Sequence, residues 1–130
     1  MGVKYETKAQ AMFGSRYGAR YFPSQWLRYS TPDDPRIRWC QPDGVLFVPW
    51  ANAITIIEFK YSHTEVAWWQ LFQLYTPVLR RLFAKEKYEI RCCEVVKWFD
   101  PAVRAPQRAK LREDIEAISP GEFAVHIFNP

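Results

Sequence analysis

Apolar positions change their period several times along this chain. Ala9, Met12, Phe13, Tyr17 and Tyr21 recur at three- and four-residue intervals, the spacing of a helix face. Thr7 with Gln10 forms a candidate capping box at its start. Pro23 should end that helix, Trp26-Leu27 suggests a second short turn, and Thr31-Pro32-Asp33-Asp34-Pro35 is a loop by composition. Ile37–Cys40, Val45–Val48 and Ile54–Tyr61 then read as three strands, the last β-branched and aromatic. Asn52 and its neighbours supply the loop between the second and third.

Ser62 with Glu65 forms a second capping box, opening a helix whose apolar face is Trp68, Leu71, Tyr75, Val78, Leu79 and Leu82. Pro77 should kink it, because it denies the Gln73 carbonyl its usual donor. Tyr88–Trp98 is a further strand. Pro106–Ile118 reads as a charged amphipathic helix with Leu111, Ile115 and Ile118 inward, stopped by Pro120-Gly121. Phe123–Phe128 is a final strand. The order predicts one α/β domain over residues 1–130, with a central mixed sheet flanked by helices.

Charge interrupts this pattern at one place. Pro42-Asp43-Gly44 precedes the second strand, and Ile56-Ile57-Glu58-Phe59-Lys60 lies within the third. Side chains alternate along a strand, so Glu58 and Lys60 share one face while Ile57 and Phe59 share the other. If the two strands are antiparallel neighbours, Asp43 stands beside Glu58. Unpaired buried charge is expensive, so an acid and a lysine in a core strand need a cause. The plainer alternative is a Glu–Lys pair on an exposed strand face with Asp43 in a turn.

The spacing resembles the PD-(D/E)XK nuclease superfamily, Asp43 matching the first acid, Glu58 the second and Lys60 the lysine. The resemblance implies a restriction-endonuclease-like core of α-β-β-β-α-β order, here followed by an extra helix and strand. It also implies a Mg²⁺- or Mn²⁺-dependent phosphodiesterase acting on DNA. Asp43, Glu58 and the backbone carbonyl of Phe59 would be the metal ligands. Such hard cations take oxygen ligands, and a bound ion acidifies and orients water while screening phosphate charge. Lys60 would orient the attacking water and stabilise charge developing on phosphoryl oxygens. Many members add an acid from the first helix. Glu6 is the only acid near that helix, and no motif singles it out.

RecB-type and lambda-exonuclease-like members carry a Q-x-x-x-Y signature on the helix after the lysine. Trp69-Gln70-Leu71-Phe72-Gln73-Leu74-Tyr75 is similar but departs in register, with Gln70 five residues before Tyr75 and Gln73 two before it. That branch implies processing of ends or flaps. A Holliday-junction-resolvase-type endonuclease and a non-catalytic DNA-binding or assembly protein on a nuclease fold are the alternatives. An unrelated α/β interaction domain is a third.

Lys and Arg number 18 against 14 Asp and Glu, a net charge of +4 that suits a polyanion. His63, Gln70, Gln73, Arg16, Arg20, Arg80 and Arg81 are candidate DNA contacts, since arginine's fork matches phosphate. The i, i+4 spacing of Arg16 and Arg20 would place both on one helix face. With so little chain around the core, embracing DNA calls for a homodimer or a partner protein. Cys40, Cys92 and Cys93 read as reduced, buried thiols. No apolar stretch suits a membrane span, and Met1-Gly2-Val3-Lys4-Tyr5-Glu6 lacks the apolar core of a signal peptide. The expected location is the cytoplasm, including a host cytoplasm for a phage-encoded protein.

Overall fold

The computed structural model describes residues 2–130, so Met1 of the N-terminal reading lies outside the described residues. A six-stranded mixed sheet forms the centre, in the order β1-β4-β5-β6-β8-β7. Its strands are β1 (Tyr21–Pro23), β4 (Gly44–Val48), β5 (Ala53–Ser62), β6 (Glu89–Trp98), β7 (Ala109–Leu111) and β8 (Phe123–Ile127). β2 (Leu27–Thr31) and β3 (Asp34–Cys40) pair only with each other, as an antiparallel ribbon. Two helices cover the sheet. α1 is Gly2–Tyr17, and α2 covers 65–82 as an α turn (Glu65–Trp68), a π segment (Trp69–Tyr75) and a final α segment (Thr76–Leu82).

Alternation along β5 divides the core. Ile57 and Phe59 pack with Tyr5, Ala9 and Phe13 of α1 on one face. Ile54 and Ile56 pack with Leu71, Tyr75 and Leu79 of α2 on the other. Each fully buried aliphatic side chain contributes about 1.5–3 kcal/mol. β5 is antiparallel to β4 and parallel to β6, so α2 is the crossover of a β-α-β unit.

Several sequence expectations need correction. α1 starts at Gly2, and the Thr7 hydroxyl donates to the Val3 carbonyl inside it. It ends at Tyr17, where Gly18 takes a φ of +58°, before Pro23 is reached. Trp26-Leu27 leads into the β2–β3 ribbon. At α2 the Thr64 hydroxyl accepts from the Val66 N–H, so Thr64 and not Ser62 is the cap. Leu82, expected inward, is exposed.

The largest error is the helix over 106–118. Ala109–Leu111 forms β7 instead, parallel to β8. Asp114 caps a single 3-10 turn at Ile115–Ala117. Ile115 and Ile118 are buried as their apolarity requires, but Leu111 is exposed. Pairing with the open edge of β8 overrides a helical spacing set by three apolar residues. The element order is therefore strand-richer than the α-β-β-β-α-β expectation, with an extra ribbon before the charged strands.

Candidate functional site

Glu58 and Lys60 lie in the C-terminal half of β5, on the face covered by α2. Asp43 immediately precedes β4, and antiparallel pairing of Gly44 with Ile57 brings it to Glu58. Backbone N–H groups hold both acids: that of Phe59, next to Glu58, donates to Asp43 Oδ2 at 2.8 Å, and that of Asp43 donates to Glu58 Oε1 at 3.2 Å. Lys60 Nζ is 3.6 Å from Glu58 Oε2. N–H and C=O of a strand residue point to the same side, so the Phe59 carbonyl also faces the Asp43 side of β5.

Asp43-Gly44 is not a free turn. A Cβ on Gly44 would lie 2.4 Å from the Tyr21 hydroxyl oxygen and 2.6 Å from its ring, so only glycine admits Tyr21 there. Tyr21 donates to Gln10 Oε1 at 2.5 Å, and Gln10 Nε2 donates to the Asp43 carbonyl at 2.7 Å. α1 thereby fixes the Asp43 backbone. One turn earlier on α1, Glu6 lies close enough to Asp43 for the two carboxyls to repel each other. Its sequence position near the end of the chain carried no such signal; the packing of α1 supplies it.

Burial raises the carboxyls of Asp43, Glu58 and Glu6 above the usual carboxylate range. The Asp43 charge pushes Glu58 and Glu6 further up, while Lys60 opposes the rise at all three. The Tyr75 hydroxyl of α2 donates to the Gln41 carbonyl at 3.2 Å and stands near enough to Glu58 to oppose the rise of its carboxyl. Tyr75 belongs to the core by its ring and to the site by its oxygen.

The π segment of α2 bears on the Gln–Tyr spacing. A π turn accommodates one residue more than an α turn, and the Thr76 N–H bonds five residues back to Leu71. Gln70 and Tyr75 therefore stand one turn apart, as a four-residue spacing would place them in an α-helix. Gln70 Oε1 is buried without a hydrogen-bond partner. Pro77 falls in the α segment just beyond this widened turn.

Glu94 of β6 was missed in the sequence, although an acid inside Cys92-Cys93-Glu94-Val95-Val96 repeats the signal of Glu58. It pairs in register with Glu58 across β5 and β6. Glu94 Oε1 lies 2.5 Å from His63 Nδ1, and Oε2 accepts from the Thr64 N–H at 3.1 Å. Burial pushes Glu94 up to about 8. His63 is thus buried and partnered by Glu94.

Other expected contacts are not gathered here. Arg20 follows α1 in a separate 3-10 turn, so it shares no helix face with Arg16. It pairs with Glu116 at 2.5 Å, donates to the Phe47 carbonyl and lies over Trp50, toward the opposite end of β4. Arg16, six residues beyond Gln10, is about 9 Å further along α1. Arg81 donates to the Ser30 carbonyl of β2, and Arg80 is exposed beside it on the last turns of α2. Gln73 lines a groove between α2 and the ribbon with Arg28, Ile37 and Arg81. The three cysteines are free and buried.

Among the described residues, no three His, Cys, Asp or Glu side chains form a group able to hold an ion unaided. Two acids with backbone oxygen and water nonetheless suit a hard cation. None of the described helices is long and apolar enough to cross a membrane. No protein-family model, curated protein or solved structure matches this chain.

Proposed function

We propose that this protein is a divalent-metal-dependent nuclease of PD-(D/E)XK type, hydrolysing DNA phosphodiester bonds. The observation that carries this reading is the mutual locking of Asp43 and Glu58, with Lys60 beside them at the C-terminal end of β5. Ligands of open α/β sheets bind outside the carboxyl ends of strands. An ordinary structural ion pair would not bury two acids with one lysine, because the surplus charge is costly.

The donor set fits Mg²⁺ or Mn²⁺. Asp43, Glu58 and the Phe59 carbonyl would hold the ion. When bound, such an ion supplies an acidified water and neutralises phosphate charge. The protein's own part is positional. Backbone N–H bonds fix one oxygen of each acid. Tyr75 and Gln10 fix the segments that carry them. Lys60 donates to water or to a phosphoryl oxygen as negative charge develops there.

Structure- or end-directed cleavage is preferred to sequence-specific cleavage, because the sequence carries no basic-region helix, zinc finger or other base-reading motif. DNA is the substrate, with a second copy or a partner protein completing the grip. The intact Asp43, Glu58 and Lys60 favour catalysis over a purely binding role. The test is incubation of purified protein with supercoiled and linear DNA in Mg²⁺, Mn²⁺ or EDTA. Cleavage with either cation and none in EDTA is the expected result. Cleavage unaffected by EDTA would overturn the proposal.

A further inference from the structure

Beyond the carboxylates, at the C-terminal ends of β5 and β6, lies a cavity of about 590 Å³. That is within the range of small-molecule sites. His63 lies on one side, and residues between Phe99 and Leu111 form the rest. Three observations make it a built site.

First, His63 is anchored by Glu94 through Nδ1 and stacks on Phe99 with ring centroids 4.8 Å apart. Its Nε2 has no protein partner, and it is not among the buried unpartnered atoms, so it opens onto the cavity. The Nδ1 bond to Glu94 fixes the ring and leaves Nε2, on its other side, to meet a ligand.

Second, Arg104 and Arg108 line the same cavity and make no ion pair or hydrogen bond among the described residues. Arg20, Arg36, Arg38, Arg91 and Arg112 are all matched to carboxylates. Asp100 is the only acid on this wall, and its Oδ1 already accepts from the Ala102 N–H at 2.9 Å. The wall therefore keeps a positive balance.

Third, much of the remaining lining is apolar: Phe99, Pro101, Val103, Ala105 and Leu111. Cationic donors beside apolar walls match a ligand with a phosphate and a flat, weakly polar body.

We propose that this cavity binds one nucleotide of the DNA strand, its phosphate held by Arg104, Arg108 and His63 Nε2 and its base and sugar against the apolar wall. The choice of nucleotide as ligand rests on the nuclease reading. Glu94 links the two places, since it anchors His63 and stands beside Glu58 in the sheet. A nucleotide seated here positions the strand relative to the acids.

The test uses the intact protein in EDTA, where no metal-dependent chemistry occurs. Calorimetric titrations with deoxyadenosine monophosphate, deoxyadenosine and inorganic phosphate are compared. The nucleotide should bind at about millimolar affinity or tighter, and at least about tenfold more tightly than either fragment. An Arg104→Ala/Arg108→Ala double variant, both positions being exposed, should fold normally and lose about tenfold or more in nucleotide affinity. Asp43→Asn should retain nucleotide affinity. Nucleotide binding no tighter than deoxyadenosine or phosphate, or undiminished in the double variant, would overturn the proposal. Nucleotide bound through the arginines by a protein that cleaves nothing would uphold this site and overturn the nuclease reading instead.

Discussion

Glu58 and Glu94 are register partners in the parallel β5–β6 ladder, so two buried carboxyls stand side by side on the face beneath α2. Burial pushes each up to about 8, with the Asp43 charge adding to the rise at Glu58 and the Glu58 charge adding a little at Glu94. Lys60 lowers both.

This sets a pH dependence for the metal-free protein. A folded-state value above the ordinary 4.5 means that folding favours the neutral acid. The stabilising contribution is complete below about 4.5 and is lost as pH rises toward about 8. His63, lowered by burial, acts oppositely and loses its contribution as pH falls below the histidine range. Melting temperature in EDTA should therefore fall as pH rises through neutrality to about 8, and Glu58→Gln should flatten the fall. A melting temperature that rises over that interval contradicts the assignment.

Lys60 is the ammonium that pairs with Glu58. Lys60→Ala should leave Mg²⁺ affinity near the wild-type value and lower the single-turnover rate on the order of 10²–10³-fold. Calorimetry and quenched kinetics on the same preparation separate the two effects. An unchanged rate removes Lys60 from the chemistry.

Gly44 should tolerate no side chain. Gly44→Ala meets the Tyr21 ring and should cost about 1–3 kcal/mol, read as a lower denaturation midpoint. The shift should also disturb the Gln10 bond to the Asp43 carbonyl, so activity should fall with stability. Wild-type stability in this variant would mean that Tyr21 moves aside freely.

Much of this was readable from residues, and the exceptions have physical causes. Strands β4, β5 and β6 follow from β-branched runs, and the alternation at Glu58-Phe59-Lys60 predicts which face each side chain takes. The antiparallel pairing that joins Asp43 to Glu58 follows from the short Asn52 turn between their strands. Residues 106–118 failed because a sheet edge recruits them. Glu6, Gln10 and Tyr21 gain their roles only through the packing of α1 against β5 and β1, which no local pattern encodes. Gln70 and Tyr75 looked out of step because a π turn cannot be read from apolar spacing. Arg16 and Arg20 looked like one stripe because the left-handed Gly18 between them was taken as helical.

That last correction has its own consequence. Arg20→Ala should destabilise by on the order of 1 kcal/mol through loss of the Glu116 and Phe47 bonds. DNA affinity and its salt slope should stay at wild-type values, because Arg20 lies away from the acids. A flattened salt slope would return Arg20 to the DNA-binding surface.

The central claim is that Asp43 and Glu58 hold the cation that cleavage requires. Its most direct test is single-turnover cleavage of linear duplex DNA over a Mg²⁺ titration, run with wild type, Asp43→Asn and Glu58→Gln. Both variants should fold with equal or greater stability, since each removes a surplus buried charge. Both should lose cleavage at every Mg²⁺ concentration and lose calorimetric Mg²⁺ binding. Folded variants that cleave at the wild-type rate would contradict the account.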